Sequence, residues 1–265
     1  MLGLIVNPRK HFSTESLNRP TNGRMDRWRL VLEHKLANRQ FEKERRVAPK
    51  PIDEVFPGIS RTRATIQNAV ATPFALANAD PGELIILSTI CAYSAPKSIV
   101  EFGTFDGLTA LHFAINSPPS ARVVTIDLHP DDPIRQTTTD DTFYSKGMRV
   151  GSQFEAAPEA GKIQQVFCNT LEFDQTPLAG KVDMIFIDAG HAYELVRSDS
   201  NKALEMIGPG GIVLWHDYHY AHEGVYRWLN ELSDRLPLFQ VPGTKLVCHV
   251  SPRIATSTGP TPGAR

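Results

Sequence analysis

Cysteine is scarce in this chain of 265 residues, with Cys91, Cys168 and Cys248 widely spaced and odd in number. That excludes a disulfide-framed scaffold and a clustered zinc site, and two of the three lie in apolar runs that suit buried free thiols. Long hydrophobic runs are also missing. None approaches the roughly 18 residues of a membrane span, and Leu2 to Val6 is too short for a signal-peptide core. Net charge is nearly absent, at −1, but the balance is uneven. Residues 1–50 carry 12 Lys and Arg against 5 acidic residues, a net of +7, and the rest therefore nets −8. A basic N-terminal piece precedes a mildly acidic body. The expectation is a cytoplasmic chain without a membrane contact. Basic charge without interleaved aromatics or a nucleic-acid-binding fold does not make nucleic acid the expected partner.

What is present falls into three parts. Residues 1–60 read as a loose tail to residue 23, a basic helix from Arg24 to Arg46 and a proline-punctuated linker. Trp28, Val31, Leu32, Leu36 and Phe41 recur at near-helical spacing on that helix, which packs on the body or pairs two copies as a homodimer. Residues 61–250 read as the main domain. They open with a helix over about Arg61 to Leu76. A second helix starts at Asp80-Pro81-Gly82-Glu83, with Asp as N-cap, Pro at the first position and Glu at the third. Its apolar segment, Leu84 to Tyr93, is expected to be buried all round. Residues 251–265, rich in Pro, Gly, Ser and Thr, read as a disordered tail.

Within the main domain the period alternates. Apolar β-type runs at Ile99–Phe102, Val123–Leu128, Ile163–Phe167, Val182–Ile187 and Gly211–Trp215 are separated by helical patterns. The clearest helix, Tyr193 to Ile207, is ended by Gly208-Pro209-Gly210-Gly211. Continuous apolar strands between helices predict an α/β fold of the Rossmann-like, doubly wound kind with a mostly parallel sheet. Leu236–Val241 and Thr244–Val250 around Pro242-Gly243 add a C-terminal antiparallel hairpin. More than thirty residues separate Leu128 from Ile163. They include an expected short helix over Met148 to Ala157, and as a whole they suit a lid over a ligand crevice.

In such a sheet ligands bind beyond the C-terminal ends of the strands. The residues there are Gly103, Asp127, Cys168-Asn169, Asp188 and His216-Asp217, a single rim of polar and acidic groups. SIVEFGTFDGLT, residues 98–109, reads as strand, glycine turn and helix start, a turn that lets a ligand approach closely and offers it unpaired N–H groups. Asp127, about 20 positions past the turn, can hold a ribose. That alone suits NAD as well. The turn, however, is G-x-x-x-G from Gly103 to Gly107 and lacks the middle glycine that admits a pyrophosphate, which favours a phosphate-free ligand.

The ordered set EFGTFDGLT, VVTIDLHP, VDMIFIDAGHAYELVRSD and GPGGIVLWHDY resembles the class I S-adenosylmethionine-dependent methyltransferases. The likeness is to the branch of catechol-type O-methyltransferases and small bacterial methyltransferases with F-[IV]-D-x-x-H, over about residues 80–250. The resemblance implies S-adenosyl-L-methionine as cofactor. Glu101 would lie beneath it, and Gly103, Thr104, Phe105 and Gly107 would form its turn. Thr109 would bind its carboxylate, Asp127 its ribose, and Asn169 and Thr170 its adenine. It further implies Mg2+ on Asp188 and Asp217. Tyr218 stands where the relatives supply an amide ligand, and His216 is the substitute. His191 falls at the position of the relatives' lysine base, beside Asp188. The implied reaction is O-methylation of a small hydroxylated acceptor: a sugar, a polysaccharide unit or a secondary metabolite. The alternatives are an NAD(P)-dependent oxidoreductase and a non-catalytic cofactor-binding protein.

Overall fold

The structure, a computed structural model, describes residues 24–67, 79–136 and 149–253, with side chains from residue 31 onward. The expected tails at 1–23 and 251–265 lie outside it except for residues 251–253. Most of the expected helix 61–76 is outside as well. Its described start, 62–67, has no regular structure, so no helix begins at Arg61.

Seven strands form one sheet in the order β3-β2-β1-β4-β5-β7-β6. The first five are parallel: β1 (Ser98–Phe102), β2 (Arg122–Asp127), β3 (Ile163–Phe167), β4 (Val182–Ile187) and β5 (Ile207–Trp215). β7 (Val247–Val250) runs antiparallel between β5 and β6 (Phe239–Gln240), which bears out the closing hairpin. β5 begins four residues earlier than expected. The glycine-proline run 208–211 stays in the strand, inside a register shift against Val182–Met184. Here glycine serves close packing: a Cβ at Gly211 would stand 2.7 Å from Ile207.

Alternation along each strand feeds two cores. Ile99, Met184, Phe186 and Leu214 face one side with Leu87 and Ile90 of α3 (Pro81–Ser94) and Leu111 and Phe113 of α4 (Leu108–Asn116). Val100, Phe102, Ile185, Ile187 and Trp215 face the other. There they meet Val196 and Ala203 of α6 (Tyr193–Met206) and Trp228 and Leu229 of α7 (Glu223–Ser233). This is a sheet covered on both faces, as continuous apolar strands require. The capping box at α3 is present: Asp80 accepts from Gly82 N at 2.8 Å, and Glu83 accepts from Asp80 N at 3.2 Å. α3 is not buried all round, since Ile85 and Tyr93 stay exposed. Cys91 and Cys248 are buried and Cys168 half-buried, all as free thiols.

α1 (Arg24–Glu44) meets the body at Phe41 near its C-terminal end and at His34, whose ring packs edge-on against Tyr220. Phe41 is buried against Tyr218 and Tyr226, whereas Val31, Leu32 and Leu36 are exposed. The linker behind it is stitched to the sheet edge, with Lys50 N donating to Gln240 O at 3.0 Å and Gln240 N to Ala48 O at 3.0 Å. A four-residue helix, α2 (Ile52–Val55), lies between the linker and the main domain. No helix among the described residues is long and apolar enough to cross a membrane.

Candidate active site at the switch point of the sheet

Strand order reverses between β1 and β4, and β1's turn, β2's end, β4's end and β5's end all open on the crevice there. The site has two sides.

On the β1 and β2 side, Gly103 and Gly107 both have φ near +90°, which only glycine adopts without strain. What crowds Gly103 is protein. A Cβ there would stand 2.0 Å from the Asp188 carbonyl oxygen, so the glycine lets the end of β4 pass over the turn. At Gly107 the crowding group is Phe154, 2.5 Å from an added Cβ. The described end of the long insertion thus packs on the turn, with Gly151 N donating to Phe105 O at 3.0 Å and Gln153 N to Asp106 O at 2.9 Å. Residues 149–157 are turns, not the short helix expected there.

The expectation of unpaired turn amides is also corrected. Thr104 N and Phe105 N donate to Asp127 Oδ2 at 3.1 and 2.9 Å, and Gly103 N donates to Ile126 O at 2.8 Å. At the start of α4, Leu108 N donates to Asp106 Oδ1 at 3.1 Å, so the buried Asp106 holds that helix N-terminus. Thr109 is half-buried, the second residue of α4. Asp127 Oδ1 takes Leu128 N at 2.7 Å and the Arg135 guanidinium. Arg135 belongs to α5 (Pro133–Gln136) in the insertion, is buried, and also donates Nε to Leu128 O at 3.1 Å. With four donors, the carboxylate's roughly four acceptor positions are filled.

Glu101 lies beneath the turn, 1% exposed, at the end of a chain of hydrogen bonds from Gln165 through Thr104 and Thr125. Burial, and then the nearby Asp188, Asp127 and Asp106, hold its carboxyl well above the usual range against the Thr125 hydrogen bond. Asn169 and Thr170 follow β3 on the same rim. Asn169 accepts from Leu171 N at 3.0 Å, and the Thr170 carbonyl accepts from Lys202 at 2.6 Å.

The β4 and β5 side is an ion network. His216 donates Nδ1 toward Asp188 Oδ1 at 3.1 Å and lies 3.3 Å from Asp217 Oδ2; its Nε2 is 2.9 Å from Glu83 Oε2. Although burial opposes the charge, Asp188 and Asp217 raise the imidazole well above its ordinary pKa. Asp217, at φ +58°, faces His191 Nε2 at 3.0 Å, Lys245 Nζ at 2.9 Å and His222 Nε2 at 3.5 Å. Against the cost of burial, His216 and His191 hold its carboxyl well below the usual carboxylate range. Burial moves His222 the other way, down to about 4, which keeps it neutral at pH 7.

The structure therefore brings Asp188, His191, His216 and Asp217 together, and Glu101, Gly103, Thr104, Phe105, Gly107, Thr109 and Asp127 on the adjoining side. Glu83, Lys245, His222 and Arg135 join them. Glu83 carried a signal only as a helix cap, and Lys245 and Arg135 carried none. Tyr218, two residues beyond His216, is core: it is 1% exposed and donates to Asn230 Oδ1 at 2.6 Å.

Residues 100–218 match the family model described as a methyltransferase domain. Over that stretch the chain is similar to methyltransferases. The solved O-methyltransferase TomG from Streptomyces achromogenes, in complex with SAM, has 19% identity and a TM-score of 0.53, over 75% of this chain and 96% of that one. The SAH-bound methyltransferase PaMTH1 of Podospora anserina has 16% identity and a TM-score of 0.50, over 89% of this chain and 98% of that one. At these identities the likeness is one of fold. No curated protein matches the chain in sequence. The matched stretch runs from within β1 to just past β5 and holds every motif quoted above.

Proposed function

We propose that the chain is an S-adenosylmethionine-dependent O-methyltransferase acting on a small hydroxylated molecule such as a sugar, a polysaccharide unit or a secondary metabolite. The observation that carries this reading is the pairing, at one switch point, of an acidic strand end built into a glycine turn with a histidine–carboxylate network one strand away. The cofactor would lie along Gly103, Thr104, Phe105, Gly107 and Thr109, over Glu101, with its ribose on Asp127 and its adenine toward Asn169 and Thr170. Ribose hydroxyls must displace a donor from Asp127, and Arg135 is the one side chain among the four.

A sulfonium methyl is already activated, so the protein's larger task is alignment of oxygen, carbon and sulfur. Its second task is to take the hydroxyl proton. His191 is placed for that: with Nε2–H donating to the ionised Asp217 at 3.0 Å, a proton taken up at Nδ1 makes an imidazolium that this carboxylate stabilises. Asp188, His216 and Asp217 have donor atoms within 4.8 Å of one another, and Glu83 orients the outer nitrogen of His216 as a carboxylate orients a metal-bound histidine. These residues fit a divalent ion, Mg2+ in the family's pattern, once the Nδ1 proton of His216 leaves. Such an ion would lower the pKa of the acceptor hydroxyl.

The exposed Val31, Leu32 and Leu36 of α1 support pairing of two copies through the N-terminal helices. Calorimetric titration with S-adenosylhomocysteine and with NAD, repeated with EDTA and with added Mg2+, tests the function. Binding of the homocysteine analogue is expected; binding of NAD alone would overturn the reading.

A further inference from the structure

His191, Asp217 and His222 form a second donor set around the same carboxylate. Their ligand atoms all lie within 4.8 Å of one another. His191 Nε2 is 3.0 Å from Asp217 Oδ2, and His222 Nε2 is 3.5 Å from Asp217 Oδ1. Nitrogen and oxygen ligands bound at about 2.0–2.2 Å to one ion stand roughly 3.0–3.5 Å apart at octahedral or tetrahedral angles. The two imidazoles approach different oxygens of the one carboxylate at separations that one ion could span.

Local structure is built to hold this arrangement. His191 lies on the segment after β4, Asp217 lies two residues past β5, and His222 immediately precedes α7. Gly224 joins the pieces: a Cβ there would stand 2.2 Å from the His191 carbonyl oxygen and 2.4 Å from Tyr193 N. Only glycine lets the start of α7 sit this close to residues 191–193, and that approach sets the two imidazoles 4.1 Å apart, centroid to centroid. Both rings keep part of their surface in solvent, so a bound ion would retain open positions.

Two imidazoles and one carboxylate suit zinc, cobalt or iron(II), ions of borderline softness, over magnesium. Lys245 Nζ at 2.9 Å and His216 Nδ1 at 3.3 Å compete for the same carboxylate. The Lys245 side chain is 39% exposed and can swing away.

We propose that His191, Asp217 and His222 bind a divalent transition-metal ion, and that this ion inhibits methyl transfer by holding His191 through Nε2, which places the imidazole proton on Nδ1 and leaves no basic nitrogen to receive another. The second clause rests on the O-methyltransferase reading; the first does not. The test titrates the full-length protein, without cofactor, with Co2+ and follows visible absorption. The wild type is expected to bind one Co2+ with d–d bands that Zn2+ abolishes and millimolar Mg2+ leaves in place. His222→Gln, checked for folding by its thermal melt, is expected to lose at least tenfold in Co2+ affinity; His222→Asn takes its place should it not fold. Asp188→Asn is expected to keep the bands.

Absence of Co2+ binding by the wild type, or undiminished binding by the His222 variant, would overturn the site. So would binding that depends on Asp188 and not on His222, which would place the ion on the other donor set. Where turnover is available, Zn2+ is expected to inhibit the wild type at tenfold or more lower concentration than His222→Gln, and equal inhibition would overturn the inhibitory role. Failure to bind S-adenosylhomocysteine would instead strike the O-methyltransferase reading and leave the Co2+ result standing.

Discussion

The two sides of the crevice solve different problems with different materials. Beside β1 and β2 a single carboxylate, Asp127, is saturated by three backbone amides and one arginine, and the glycine turn is held by its own chain. Beside β4 and β5 three carboxylates from three elements, Glu83, Asp188 and Asp217, share the cations His216 and Lys245. The first side is a rigid cradle suited to holding a ligand in one place. The second is a network of paired charges among side chains, suited to handling a proton during a reaction. Substitutions on the second side should therefore cost stability or turnover, and those on the first should move cofactor affinity.

The largest expected effect is at Asp217. Asp217→Asn leaves His216 and Lys245 facing a neutral group in a buried place, and removing one partner of a buried ion pair costs about 3–5 kcal/mol. Denaturant unfolding measures it, and a loss under about 1 kcal/mol would show the network to be loosely solvated. The pH dependence follows from the two shifts. His216 is raised, so its stabilisation is full below its unfolded value near 6.5 and is lost as pH climbs through the higher folded value. Asp217 is depressed, so its stabilisation holds above its unfolded value near 3.8 and is lost as pH falls through the lower folded value. The deficit of Asp217→Asn should thus narrow at both extremes.

Next comes Asp188→Asn. Turnover should fall about 100-fold or more, by the size of effect typical of groups that serve proton transfer, while S-adenosylhomocysteine binding stays within a few-fold. Equal loss of both would merge the two sides into one.

Glu101 sits between the sides and feels carboxylates of both. Its raised folded pKa means the protein loses stability, relative to a neutral side chain, as pH rises above the unfolded value. Glu101→Gln should therefore be stabilising, by about 1.4 kcal/mol per pH unit between the two pKa values and little below pH 4.5. Thermal melts across pH 5–8 check this, and a pH-independent difference would show Glu101 already charged at pH 5.

The smallest effect sharpens the cradle itself. If Arg135 must leave Asp127 for ribose to bind, Arg135→Ala should tighten S-adenosylhomocysteine by about threefold to tenfold, a charge-assisted hydrogen bond no longer needing to be broken. Weaker binding would make Arg135 part of the cofactor site.

The same contrast governs what could be read from the chain. Strand ends announce themselves, because an apolar run followed by Asp or Gly is a local pattern; Asp127, Asp188 and Asp217 were all legible that way. The doubly wound sheet followed from the same runs. Long-range approaches were not legible. Gly103 suggested a bound ligand, but its crowding neighbour is the backbone of Asp188, 85 positions later. Glu83 read as a cap, and nothing near it hinted at His216. Arg135 sits in a segment without periodicity and Lys245 at the start of the expected hairpin strand, and only the fold brings them to their carboxylates. Gly208 to Gly211 read as a break because glycine and proline are depleted in strands, and the register shift at Val182–Met184 is what lets them stay in β5.

The most direct test of the division is a set of three calorimetric titrations with S-adenosylhomocysteine, on the wild type, Asp127→Asn and His191→Gln. The account predicts at least a tenfold loss of affinity for Asp127→Asn and affinity within a few-fold of wild type for His191→Gln. Loss in His191→Gln with Asp127→Asn unaffected would contradict it.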